Sequence, residues 1–236
     1  MESSMKRVEE FDFVEFAKDV EYPAILMSAI RLSGKTHLTQ WINYIWKDTY
    51  KWDCIFLFSD TAELNEGFKY VSPNFHYEGY KPDIVEKVLD KQKHMIKKYK
   101  EKSPEKIPKI LFLFDDCVAD KKIFYCKTLT KLAIEGRHYH CGYIMNTQYL
   151  HLLCPAVRSN VNLLIVFKSF NYRVQNAIVE QYLGVGDTPK KEAFRFFNDC
   201  MCEEYLAMVI AVYKCQAANC YNDYVYTFKA PKEEPP

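Results

Sequence analysis

The sequence predicts an α/β domain built on a mainly parallel sheet with helices on both sides. Five short apolar runs recur along the 236 residues and alternate with helical or polar segments. Each run is apolar at successive positions, the pattern of strands covered on both faces. With 49% hydrophobic and 27% charged residues the chain has enough apolar surface to fold, and 7 Gly with 10 Pro leaves no room for collagen-like or linker-rich classes. A chain of this length fits one domain over residues 1–230. Its core is expected at about 22–170, with further helices and strands over 171–229 and a frayed Pro/Glu/Lys-rich tail at 230–236.

The first run, Ala24 to Met27, meets an abrupt turn and then a helix from Lys35 to about Tyr50. That helix carries Leu38, Trp41, Ile42, Ile45 and Trp46 at amphipathic spacing. The second run is Cys54 to Phe58. A lysine-rich helix, Ile84 to about Lys100, keeps an apolar stripe of Val85, Val88, Leu89, Met95, Ile96 and Tyr99. Lys81 to Lys109 holds ten lysines against five acidic residues, which reads as a solvated face or a phosphate-contacting patch. The third run, Ile110 to Phe114, ends in Asp115 and Asp116. The fourth is Tyr143 to Met145 and the fifth Leu163 to Phe167. Helices at about Tyr172–Leu183 and Pro189–Asp199 follow, then a β-rich extension over Tyr205–Tyr213 and Tyr224–Phe228.

A net charge of +1 excludes a global basic field, so any contact with nucleic acid must be local. No apolar run is long enough for a membrane-spanning helix, and the charged start of the chain lacks a signal-peptide core. Nine cysteines without framework spacing suggest reduced thiols in a cytosol-like compartment. Cys200, Cys202, Cys215 and Cys220 could in principle hold zinc. Their tight first spacing and the strand expected between the pairs favour packed or free thiols.

The most informative segment is Ala29-Ile30-Arg31-Leu32-Ser33-Gly34-Lys35-Thr36, which matches [AG]-x-x-x-x-G-K-[ST] between a strand and a helix. Such a loop wraps backbone N–H groups around a phosphate while the helix N-terminus adds positive dipole. Lys35 then reaches the β- and γ-phosphates and the Thr36 hydroxyl binds Mg²⁺. The expected nucleotide-binding set is Ala29, Ile30, Arg31, Leu32, Ser33, Gly34, Lys35, Thr36 and His37. Ala29 stands where Gly is usual and Leu32 where many such loops carry another Gly. Only Gly34 takes positive φ without cost, which predicts a stiffer loop.

A strand ending in paired acids supplies what a phosphate cradle lacks. Asp115 is expected to face the Mg²⁺ water shell, and Asp116 to activate the attacking water. The fourth run leads into Asn146-Thr147-Gln148. Gln148 is the candidate γ-phosphate sensor, with Asn146 or Thr147 as substitutes and a turn-capping amide as the alternative.

Together, Ala29–Thr36, Ile110–Asp116, Gly136–Tyr139, Asn146–Gln148 and Val157–Asn160 resemble the poxvirus-type genome-packaging ATPases. These belong to the FtsK–HerA superfamily and occur in nucleocytoplasmic large DNA viruses, virophages and polinton-like elements. The resemblance spans about Ala24 to Phe170. It implies a P-loop NTPase fold of the RecA, additional-strand type, with the five runs in the order 5-1-4-3-2. It further implies an oligomeric ring that uses ATP and Mg²⁺ to drive double-stranded DNA into a preformed capsid in the host cytoplasm. In such rings an arginine from the neighbouring subunit completes the site. Arg158 and Arg137 fall in matching segments, with Arg173 ranked below them. Two other readings stay open: a small P-loop nucleoside or nucleotide kinase, and a non-catalytic protein that kept the fold.

Overall fold

The structure, a computed structural model, describes residues 8–61, 66–117, 121–184 and 189–236. Its strands are β1 (Ala24–Ser28), β2 (Cys54–Ser59), β3 (His76–Glu78), β4 (Ile110–Asp115), β5 (Cys141–Thr147), β6 (Leu163–Val166), β7 (Ala207–Ala211) and β8 (Val225–Phe228). They form one sheet in the order β3-β2-β4-β5-β1-β6-β7-β8. The five predicted runs are β1, β2, β4, β5 and β6, and they stand side by side as 5-1-4-3-2. Where the sheet departs from expectation is in its size. β3 adds a parallel strand at one edge, and β7 and β8 extend the other edge antiparallel.

Strand periodicity sends alternate residues to opposite faces. Leu26, Phe112, Phe114, Leu164 and Met208 enter one apolar cluster, while Ile25, Met27, Leu111, Leu113, Leu163 and Val209 enter the other. The first cluster is covered by α3 (Pro82–Tyr99), α4 (Lys127–Glu135), α5 (Pro155–Ser159), α6 (Tyr172–Tyr182) and α7 (Lys190–Cys200). The second is covered by α1 (Phe13–Asp19) and α2 (Lys35–Trp46). Both faces of the sheet are dry, which is why its strands read as continuous apolar runs.

Three features were not legible in the sequence. The seven-residue α1 is too short for a periodicity signal. Asp12 caps it by accepting from the N–H groups of Val14 and Glu15, and its Phe16 ring stacks on Trp46. α2 stops at Trp46 rather than near Tyr50, since the Trp46 indole donates to the Phe13 carbonyl and fixes the helix end under α1. In α3, Gln92 is buried and donates to the carbonyls of Pro108 and Tyr139, pinning the lysine-rich helix to the sheet. Nine of the ten lysines between 81 and 109 are exposed.

The C-terminal region corrects two expectations. Tyr205–Tyr213 is not one strand: β7 covers only Ala207–Ala211, and Val212–Ala217 winds into a 3₁₀ turn. The tail expected to be frayed instead lies along α2. Its Pro231 carbonyl is 2.6 Å from His37 Nε2, and the Trp41 indole donates to the Glu233 carbonyl at 3.0 Å.

Candidate active site

The parallel strands β1, β4 and β5 all end at the same edge, so three loops emerge side by side. Register pairs Ser28 with Thr147 and Asp115 with Asn146, and this brings Lys35, the paired acids and Gln148 together. The loop after β1 turns back sharply. Ala29 N–H donates to the Thr147 carbonyl, the Ser33 hydroxyl donates to the Ile30 carbonyl, and Gly34 caps α2 at φ 92°. Leu32 turns left-handed as well as Gly34, at the cost that a residue other than Gly bears there. It sits at φ 59° with its side chain 95% exposed. A bulky residue at positive φ costs on the order of 1–2 kcal/mol, so the loop holds the curl that a second Gly would give more cheaply. Ile30 and Arg31 are exposed, Ala29 is buried, and His37 is engaged by the tail.

The acids facing the loop differ in environment. Asp115 is buried and accepts from the Asn146 amide at 2.8 Å. Burial pushes its carboxyl above the ordinary carboxylate range. The Asn146 bond opposes the rise, the Asp116 charge adds to it, and Lys35 counteracts it. Asp116 leaves the strand at φ 49°, a left-handed backbone that a short Asp tolerates better than most residues. The turn sends its carboxylate toward α2, where Oδ2 lies 2.5 Å from Lys35 Nζ and accepts from the Gln148 amide at 3.2 Å. Among the described residues its buried Oδ1 has no hydrogen-bond partner.

The Asp115 carboxylate and the Thr36 hydroxyl are hard oxygen donors, and their chemistry fits Mg²⁺. Mg²⁺ commonly takes one or two protein carboxylates and completes its shell with water and substrate phosphates. Among the described residues no group of three His, Cys, Asp or Glu side chains is placed to hold a metal by itself. All nine cysteines are free, and Cys220 is used in a turn with Asp223.

Residue-level reasoning placed Asn146 only as a substitute sensor. In the structure it braces Asp115 and also donates to Thr39 Oγ1, whose own hydroxyl bonds back to the Lys35 carbonyl. A buried amide beside a buried acid was the available signal: polar groups in a dry sheet must pair with one another.

A family profile described as Poxvirus A32 protein matches residues 22–223. The chain belongs to the Poxvirus A32 protein family. The poxvirus-type resemblance carried by the motifs is therefore a family membership, extending past Phe170 through β7.

Similar proteins come from large DNA viruses. An uncharacterized protein of Invertebrate iridescent virus 6 is 31% identical over 160 residues, covering 68% of this chain and 59% of that protein. Another, from Acanthamoeba polyphaga mimivirus, is 27% identical over 234 residues, covering 93% of this chain and 78% of its own length. The chain thus spans about three fifths of the iridescent virus relative.

Solved structures establish the fold. The genome packaging NTPase of Sulfolobus turreted icosahedral virus 2, in complex with AMPPCP, superposes with a TM-score of 0.61 at 15% identity, covering 90% of this chain and 100% of that one. EssC (ATPases 2 and 3) from Geobacillus thermodenitrificans gives 0.58 at 14% identity, covering 89% of this chain and 40% of that one. The fold is that of a P-loop ATPase with a mainly parallel sheet.

Of the arginine candidates, Arg137 lies away from this constellation. Arg137 precedes β5 and lines a cavity with Ala24 and Asn162, at the opposite end of the strands. A strand of five residues separates it from the loop by roughly 16 Å. Arg158 ends α5 beside His151 and Arg173. Among the described residues its buried Nε has no hydrogen-bond partner, and burial together with the two arginines lowers the His151 pKa. Among the described residues no helix is long and apolar enough to cross a membrane.

Proposed function

We propose that this protein is an ATP-hydrolysing motor that moves double-stranded DNA into a viral capsid. The observation that carries the reading is the Lys35–Asp116 pair beside buried Asp115, set by strand register at the mouth of the phosphate loop. Lys35 and the loop N–H groups from Ala29 to Thr36 hold the triphosphate. Thr36 and Asp115 hold Mg²⁺, which supplies charge neutralisation on the phosphates when bound. Arrival of the phosphates draws Lys35 off Asp116, so substrate binding itself frees the carboxylate to take a proton from the attacking water. Gln148, already on Asp116, reports the γ-phosphate position to that carboxylate.

Arg137 lies at the far end of the strands from its own site, and the arginine that completes catalysis comes from the next subunit of a homo-oligomeric ring. Arg158 is the favoured finger. The exposed lysines of α3 and the turn after it suit a sequence-independent phosphate contact with DNA. Capsid proteins are the docking partners, and the host cytoplasm, where virions assemble, is the place of action.

The test is ATPase rate against protein concentration, with and without double-stranded DNA, at two salt concentrations. The reading expects rate per subunit to climb with concentration and with DNA, and the DNA effect to fade in high salt. Turnover that is flat in both sinks the motor. Phosphate release that requires a nucleoside acceptor points to a kinase instead.

A further inference from the structure

α2 carries two stripes of large side chains. Leu38, Ile42 and Trp46 are buried in the apolar cluster beneath the helix. His37, Trp41 and Tyr44, at i, i+4 and i+7, form the second stripe, and each is only partly buried. Residues 231–236 follow that second stripe. The Pro231 carbonyl meets His37 Nε2, and the Glu233 carbonyl accepts from the Trp41 indole. The two repeats match in length. Four helical residues rise about 6 Å, and two residues of polyproline II rise about 6.2 Å. Alternate carbonyls of an extended chain therefore meet ring N–H groups one turn apart on the helix.

Beyond Glu233 the groove widens. Tyr44, Trp52 and Tyr70 line a cavity of about 500 Å³ that Pro235 and Pro236 border, and Lys47, Lys51 and Lys69 bring positive charge to it beside Glu234. Aromatic walls capture proline-rich chains because polyproline II is already formed before binding. Two buried polar atoms of the lining residues have no hydrogen-bond partner among the described residues, Asn43 Oδ1 and Trp52 Nε1. Asn43 is 8% exposed, and its amide nitrogen is already given to the Thr39 carbonyl and the Tyr70 hydroxyl. One orphan is an acceptor and the other a donor. A peptide group complements both, whereas a nucleic-acid phosphate offers acceptors alone.

We propose that this groove docks an extended, acidic, proline-bearing peptide of a partner protein, and that residues 231–236 hold the place in its absence. The tail is an exchangeable occupant. Five of its six residues are exposed, and the cavity stays open beside them. A tethered segment competes at a local concentration on the order of millimolar, so a partner enters by displacing it. Nothing in the groove depends on what the phosphate loop binds.

The experiment is fluorescence anisotropy of a labelled peptide, Ala-Pro-Lys-Glu-Glu-Pro-Pro, the sequence of residues 230–236, titrated with the full chain. A control peptide carries lysine in place of both glutamates. Glu233→Lys combined with Glu234→Lys loosens the tail and leaves the groove intact. We expect that chain to bind the acidic peptide about tenfold more tightly than the wild type, as when an occupant seated on the order of 90% of the time is removed. In the same background Trp41→Phe keeps a ring, loses the donor, and is expected to weaken binding about fivefold. Lys47→Gln combined with Lys51→Asn is expected to narrow the preference for the acidic peptide, and Asn suits the left-handed backbone of Lys51 at φ 48°. Equal affinity in the wild type and the tail variant, or equal affinity for the two peptides, overturns the docking groove. So does a single-stranded oligonucleotide that displaces the labelled peptide at lower concentration than the unlabelled peptide does.

Discussion

The two flanks of β1 solve different problems with different residues. On the β4–β5 side the chain buries Asp115, Asn146, Thr147 and Lys35 in a tight hydrogen-bonded array. On the β6–β8 side it presents Phe167, Tyr205 and the tail around open space. In the proposed reading, the charge that acts on a phosphate sits nearly dry, where electrostatics are strong. The polar flank should therefore be intolerant of single changes in rate and stability, and the open flank tolerant of them.

The largest effect expected on the polar flank is in turnover. Lys35→Ala should lower ATP hydrolysis by about 10²–10³-fold, the size seen when one donor to a developing charge is removed, measured as phosphate release at saturating ATP. Asp116→Asn should reduce turnover to a similar extent while ATP still binds, which separates a proton-accepting role from a binding one. Normal turnover in either variant breaks the comparison at its root.

Next is Asn146→Ala. It leaves the buried Asp115 carboxylate without its amide, at a cost of about 1–3 kcal/mol, read as a lower midpoint in denaturant titration. Asp115→Asn should act in the opposite sense. The Asp115 carboxyl is raised in the fold, so the native state binds that proton more tightly than the unfolded chain does. The residue therefore weakens the fold above its native pKa, and the penalty fades as pH falls toward the ordinary 3.8. The variant is expected to melt higher than the wild type at neutral pH. That gain should shrink in scans at successively lower pH, while hydrolysis is lost.

The smallest effect belongs to the loop itself. Leu32→Gly relieves a left-handed backbone worth on the order of 1–2 kcal/mol, offset by roughly 0.5–1 kcal/mol of added chain entropy. Thermal stability should hardly move.

What could be read in advance follows the same division. The phosphate loop, the paired acids and Gln148 are local patterns, each contained in a few consecutive residues, and the five apolar runs needed only strand periodicity. Asn146 could be named as a polar residue at a strand tip, but its contact with Asp115 depends on β4 and β5 being neighbours in register. Tyr205 and Pro231 are further out of reach. They meet Gly34 because two antiparallel strands return the chain to the same edge, and no spacing in the sequence records that. The short helix α1 escaped because its partners, Trp46 and Phe228, lie 30 and more residues away.

The route of the last residues has a mechanical meaning. The backbone passes His37 at Pro231 and Trp41 at Glu233, crossing the outer surface of α2 on its way out. These two bonds tie residues 231–233 to the helix that begins at Lys35. Displacing Pro231 or Glu233 therefore acts directly on α2, one turn or two from Lys35.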